Sequence, residues 1–137
     1  MIQPTTGHRT HQSARYRITW SGASEQHSSS GVITATGTGA TGWARSIHRE
    51  RASTLALPTP TSGQLVYFVR EAWPSVATGT SLTQAIVPEG RVVEIVSEMD
   101  EDGVIFGDGI ETDRVEFSWG MRVTLRAAAT QLRLLIG

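Results

Sequence analysis

The stretch GVITATGTGATGWARSIHRE, residues 31–50, decides how this 137-residue chain is read. Gly37, Gly39 and Gly42 spell G-x-G-x-x-G between a β-branched run and a segment with helical spacing. In a dinucleotide-binding βαβ unit those glycines open a helix that crosses back to a parallel strand, and an acid some 20 residues on holds the ribose. Neither condition is met. The helical stretch is short and breaks before Pro58, and no Asp or Glu lies between Arg51 and Arg70. A phosphate loop of the G-K-[ST] type fails as well, because Trp43 stands where the lysine belongs. What remains is a strand, a loop almost free of bulk, and a short helix. Glycines let backbone approach a ligand and adopt positive φ, Thr38 and Thr41 add hydroxyls, and the free amides of a helix start favour polar or anionic groups. On these residues alone the segment is either a ligand loop or a tight corner.

The rest of the chain reads as strands. Tyr16, Ile18 and Trp20 alternate with Arg15, Arg17 and Thr19 after a basic leading loop, and Ser21–Gly31 reads as a turn-rich connection. Leu65–Val69 (LVYFV) is apolar on both faces, as a strand between two layers would be. RVVEIVSE and GVIFGDG are further strands, the second closing on an Asp108-Gly109 turn. Val115, Phe117 and Trp119 alternate with Arg114, Glu116 and Ser118, Val123 alternates with Thr124, and QLRLLI reads as a last strand. Only Trp43 to about Arg51 is helical, with Trp43 and Ile47 one turn apart. Seven to ten short strands and one helix predict a mainly β fold, a layered antiparallel β-sandwich, over a single domain of residues 1–137.

Composition narrows the classes. A formal charge of −1 gives no reason to expect nucleic acid or an acidic membrane as partner. The absence of cysteine rules out disulfides and thiolate metal sites, and no apolar run reaches membrane-spanning length. His8, His11, His27 and His48 show no metal-ligand spacing, and Asp100-Glu101-Asp102 reads as a solvated hairpin turn. No catalytic and no metal residue is assigned.

Residues 28–47 resemble the glycine/threonine loop of NAD kinases, in the T-G-T-G form of the mitochondrial-type branch. SARYRI before the loop, LVYFVREAW after it, VIFGDGIETDRVEFSWG and a closing strand match further blocks in the same order. The likeness spans about residues 7–137 and covers the C-terminal, mostly β domain of those enzymes. It implies a site for NAD, bound as substrate, on Gly37, Thr38, Gly39, Thr41, Gly42, Trp43 and Ser46. Thr38 and Thr41 would bond the nucleotide, Gly42 and Trp43 would line a wall facing a base, and Ser46 matches a site serine. Stacking of a base on the Trp43 indole would contribute about 1–3 kcal/mol; the other reading packs Trp43 with Ile47 into the core.

The departures are equally plain. The family's G-G-D-G-T loop, which carries the catalytic aspartate, is not in this chain, its Asn-Glu pair falls near Ile2-Gln3 and is missing or was cut away, and Ser29 or Ser30 replaces an aspartate. ATP and Mg²⁺ are therefore expected only for a full-length enzyme, and no kinase turnover is expected of this chain by itself. The resemblance implies a cytoplasmic protein whose copies associate, since a surface made for the missing half would stand exposed. A non-catalytic module that binds a nucleotide or a partner chain through strand edges is the alternative, and a related lipid- or sugar-kinase domain the third choice.

Overall fold

Arginines and apolar residues alternate along β2 (Ala14–Trp20), so Ala14, Tyr16 and Ile18 are buried while Arg15 and Arg17 point to water. In the computed structural model, which describes residues 2–4, 13–108, 110 and 112–130, this strand folds straight back. Ser21 and Gly22 both take left-handed backbone (φ 51° and 81°), the twist that a two-residue hairpin turn requires. The return strand, β3 (Ala23–Ser29), pairs in register from Trp20↔Ala23 to Ala14↔Ser29. The sequence reading made this segment a connection; it is a strand whose inward positions, His27 and Ser29, are polar, so no hydrophobic period announces it.

The remaining strands are β1 (Ile2–Pro4), β4 (Gly31–Thr36), β5 (Leu65–Arg70), β6 (Gln84–Val87), β7 (Val93–Ser97), β8 (Gly103–Phe106), β9 (Arg114–Glu116) and β10 (Arg122–Leu125). They form a six-stranded sheet in the order β6-β5-β4-β1-β8-β9 and a four-stranded sheet in the order β10-β7-β2-β3, every pairing antiparallel. Between the sheets lies the main core, where Leu65, Tyr67 and Val69 of β5 meet Tyr16, Ile18, Ile95 and Phe117. The other face of β5 carries Val66 and Phe68, which pack with Ile33 under the helix α1 (Trp43–Glu50) through Ala44 and Ile47. The expected layered antiparallel β-sandwich with one short helix after the glycine loop is what the chain forms, with β5 buried on both faces. Removing a fully buried Val or Phe side chain from water stabilises by about 1.5–3 kcal/mol, so β5, with β4 beside it carrying Val32 on one face and Ile33 on the other, holds three layers together.

Helix α1 ends where its chemistry says it should. His48 and Arg49 sit in the last turn, where cations suit the carbonyl end of the dipole. The guanidinium of Arg51 lies 5.8 Å over the Phe68 ring and donates to the Thr83 carbonyl at 3.3 Å. Near the C-terminus the expected alternation stops early. β9 ends at Glu116, Phe117 is buried, and Val115 and Trp119 are exposed. The Phe117 amide donates to the Gly103 carbonyl at 2.7 Å, and a Cβ on Gly103 would lie 2.1 Å from the Phe117 oxygen. That close approach bends the chain away before Trp119. The last expected strand, QLRLLI, together with His8, His11 and Gly109, lies outside the described residues. Among the described residues no helix is long and apolar enough to cross a membrane.

Candidate functional site

A cleft of about 810 Å³ opens beside β4, within the size range of small-molecule sites. One wall is Thr34, Ala35 and Thr36 of β4, continued by Gly39, Gly42 and Trp43. The opposite wall is Phe106, Gly107 and Asp108 at the end of β8, with Asp113 and Val115 beyond. β1 forms its inner end, since Ile2 pairs at once with Val32 of β4 and Ile105 of β8.

Of the residues that the sequence assigned to the site, Gly39, Gly42 and Trp43 line this cleft, whereas Gly37, Thr38, Thr41 and Ser46 lie outside its lining. The three glycines do different things. Gly37 is buried, and a Cβ there would sit 1.9 Å from the Thr59 carbonyl oxygen and 2.7 Å from the Pro60 nitrogen. Its hydrogen is what lets the LPTP loop close over the turn. Gly39 and Gly42 are exposed, with only ordinary contacts around a built Cβ, at 3.6 Å and 3.8 Å. None of the three takes positive φ, so close approach and open space are their uses here, not turn handedness.

The loop's hydroxyls serve the loop. Gly39 donates its amide to Thr36 Oγ1 at 3.3 Å, and Thr41 Oγ1 donates to the Thr38 carbonyl at 3.0 Å. These bonds hold a single 3-10 turn, Gly39–Thr41, whose Ala40 is buried. Helix α1 then starts at Gly42 without a side-chain cap, so no side chain closes over its first amides.

Trp43 is 49% exposed while Ile47 is buried, which overturns the reading that packs the two together. The helix buries Ala44 and Ile47 instead, and Trp43 is left at the cleft rim. The Arg70 guanidinium stands 5.5 Å from the centre of the indole, a cation–π contact of about 0.5–1 kcal/mol at an exposed position. Asp108 and Asp113 are not among the residues that the sequence assigns to the site, where Asp108 reads only as part of a turn. Its residue Asp108, with φ 54°, faces the same cleft as Trp43. Among the described residues no group of three or more His, Cys, Asp or Glu side chains gathers to hold a metal ion.

A second polar cluster lies between the sheets at β3. Ser29 Oγ is 2.9 Å from Tyr16 Oη, Tyr16 Oη is 3.2 Å from His27 Nδ1, and His27 Nε2 is 2.5 Å from Glu25 Oε1. A neutral His27 with its proton on Nε2 satisfies the whole chain: Ser29 donates to Tyr16, Tyr16 to His27, and His27 to the carboxylate. Glu25 Oε1 also accepts the amides of Ser81 and Leu82 at 2.9 Å and 3.0 Å. Burial acts to raise the Glu25 pKa, but those amides and the His27 ring outweigh it and hold the carboxyl below its ordinary value. Burial raises both tyrosines, Tyr67 to about 12 and Tyr16 further. The cluster ties the 71–83 connection to β3, whose outer edge is covered where Trp73 and Gly79 donate to the carbonyls of Ser28 and Gln26 at 2.8 Å and 3.0 Å.

Compared with known proteins, the chain matches no protein-family model and no curated protein.

Proposed function

We propose that the cleft beside β4 holds part of a pyridine dinucleotide, and that the chain is the NAD-binding β-domain of a NAD kinase-like enzyme. One observation carries this reading. Two separate blocks of the resemblance, the glycine loop and the VIFGDG turn, converge from distant positions in the chain on one open cleft, bringing Trp43 and Asp108 to its walls. The indole offers a face for a base, and Arg70 behind it makes the ring a better partner by fixing its plane. Gly39 and Gly42 let a ligand lie directly on backbone. The Asp108 carboxylate, an acceptor only when ionised, suits ribose hydroxyls.

The full-length enzyme would pass a phosphoryl group from ATP, with Mg²⁺, to the 2′-hydroxyl of the NAD adenosine ribose. This chain supplies binding, and the phosphoryl donor and the base belong to the remainder of that enzyme. A cytoplasmic setting goes with this reading. So does self-association, which the exposure of Trp119, Val115 and Ile110 supports.

Titration of NAD against intrinsic tryptophan fluorescence tests the binding. A saturable change that is lost in Trp43→Phe is expected, with affinity about tenfold weaker in Asp108→Asn, the loss of one charge-assisted hydrogen bond. A flat titration with folded wild-type protein removes the proposal.

A further inference from the structure

The connection 71–83 lies along the outer edge of β3, and none of its residues is buried. Its middle is a self-contained turn. The Ser75 amide donates to the Thr78 carbonyl at 3.1 Å, the Ala77 and Thr78 amides donate to Ser75 Oγ at 3.2 Å and 3.1 Å, and Thr78 Oγ1 donates to the Trp73 carbonyl at 2.7 Å. At its ends Ala72 and Leu82 pack partly buried against the main core, and Tyr67 Oη donates to the Leu82 carbonyl at 3.3 Å. Between those ends two kinds of bond hold the segment to the sheet. One is backbone, from the Trp73 and Gly79 amides to the Ser28 and Gln26 carbonyls. The other is the Glu25 carboxylate, whose Oε1 receives the Ser81 and Leu82 amides together with His27 Nε2. A segment held by polar bonds, with little apolar burial, belongs to the low-stability part of a fold and opens without unfolding the rest.

We propose that residues 73–81 form a strap that Glu25 latches against β3 at neutral pH and that lifts in acid while both sheets stay folded. The geometry makes Glu25 the latch. Gly79 lies so close to the carboxyl that a Cβ there would be 2.5 Å from Oε2 and 2.6 Å from Cδ, so glycine is what admits the strap backbone to that side chain. The Glu25 side chain is 16% exposed, which leaves it open to protons. All three donors on Oε1 bond more strongly to a charged acceptor than to a neutral one. A proton on the carboxyl therefore weakens the hold on Ser81, Leu82 and His27 together.

The other titratable groups leave this role to Glu25. His27 acts on it from β3, Tyr16 from β2 and Tyr67 from β5. Burial raises both phenols, which stay neutral throughout the acid range. Among the described residues no arginine forms an ion pair with Glu25. Glu71, the one titratable residue of 71–83, accepts from Ser30 Oγ and lies outside the strap. Burial opposes the Glu25 charge, but the amides and His27 outweigh it and hold the carboxyl below its ordinary value of 4.5. The latch is then complete above pH 4.5 and is lost as pH falls through the folded value. Lifting uncovers the Gln26 and Ser28 carbonyls. It also takes one wall, Trp73, Ser75 and Thr78, from a cleft of about 370 Å³ that Arg15, Gln26 and Glu98 line as well. None of these residues lines the cleft beside β4, and the strap is independent of the dinucleotide reading.

Amide hydrogen exchange of the full chain tests the latch, followed residue by residue from neutral pH to about pH 3.5 and divided by the intrinsic rate at each pH. Trp73, Gly79, Ser81 and Leu82 are expected to be at least about a hundredfold less protected than β5 at every pH, since the strap opens without the sheets. Their protection should fall about tenfold below pH 4.5, the difference between bonds to a charged and to a neutral acceptor. Glu25→Gln keeps an acceptor without the charge, so its strap is expected to be about tenfold less protected at neutral pH and flat with pH. Gly79→Ala displaces the carboxyl and should lower strap protection at neutral pH while Glu25 stays charged. One shared protection value for strap and β5 overturns the proposal, as does wild-type strap protection that is flat with pH, or an acid fall that persists in Glu25→Gln.

Discussion

If the three glycines of the loop have different tasks, alanine placed at each of them must give different results. At Gly37 the new Cβ would lie 1.9 Å from the Thr59 carbonyl oxygen, about 1.5 Å short of ordinary contact at 3.4 Å. The obstacle is backbone, held on its far side by Pro60, so it cannot swing aside as a side chain would. Overpacking costs about 1–3 kcal/mol, occasionally more, and a clash with backbone belongs at the upper end. For a chain of this length each kcal/mol moves the melting temperature by roughly 3–5 °C, so Gly37→Ala is expected to melt about 10–15 °C early. Gly39→Ala meets only Ala35 Cβ and Thr36 Oγ1 at 3.6 Å, and stays within about 0.5 kcal/mol of wild type. Gly42→Ala loses a favourable helix-start residue, which costs under about 1 kcal/mol. Circular dichroism melts of the three variants, with NAD titration of the two that fold normally, separate structure from site. Equal melting temperatures for Gly37→Ala and Gly39→Ala would refute the division of labour.

Two further predictions follow from the polar cluster at β3. Because the folded pKa of Glu25 is lowered, its contribution is fully present above the ordinary glutamate value of 4.5 and is lost as pH falls through the folded value. Urea midpoints of the wild type should therefore drop as pH is taken below about 4.5, while Glu25→Gln is flatter there and about 1.5–3 kcal/mol less stable at neutral pH; parallel pH profiles for the two proteins would contradict this. With only two tyrosines in the chain, both raised by burial, the phenolate absorbance should stay flat through pH 10.0 and rise only near or above about 12. Half-ionisation at pH 10.0 in folded protein would show that one of them is solvated.

Strands with one apolar face and one charged face were legible in the sequence because burial writes a period of two into them. β2 shows this with Tyr16 and Ile18 against Arg15 and Arg17, and the two-sided burial of β5 was readable from five apolar residues in a row. β3 was not, because a strand can be specified by its neighbour. Its inward positions carry His27 and Ser29, which are satisfied by Tyr16 and not by apolar contacts, and the Ser21-Gly22 turn sets its register. β1 and β6 span three and four residues, too short to establish any period. In the Val115–Trp119 stretch the pattern was present and misleading. Only Phe117 reaches the core, because Gly103 admits its backbone so closely that the strand cannot continue straight.

The cleft was legible only on the side that the glycine loop forms. Gly39 and Gly42 mark a corner without bulk, whereas the sequence left Trp43 open between a site wall and packing with Ile47, and only the fold shows its indole exposed. The facing wall carries no such mark. Asp108 follows an ordinary strand and looks like any turn aspartate, and what brings it to the cleft that Trp43 lines is β1, which joins β4 to β8. Alternation along a strand reports what covers its two faces. It says nothing about which edge remains unpaired, because amides and carbonyls are the same at every residue. How the two walls of the cleft are joined through β1 is therefore a matter of pairing, fixed by long-range register, and it leaves no trace in the order of side chains.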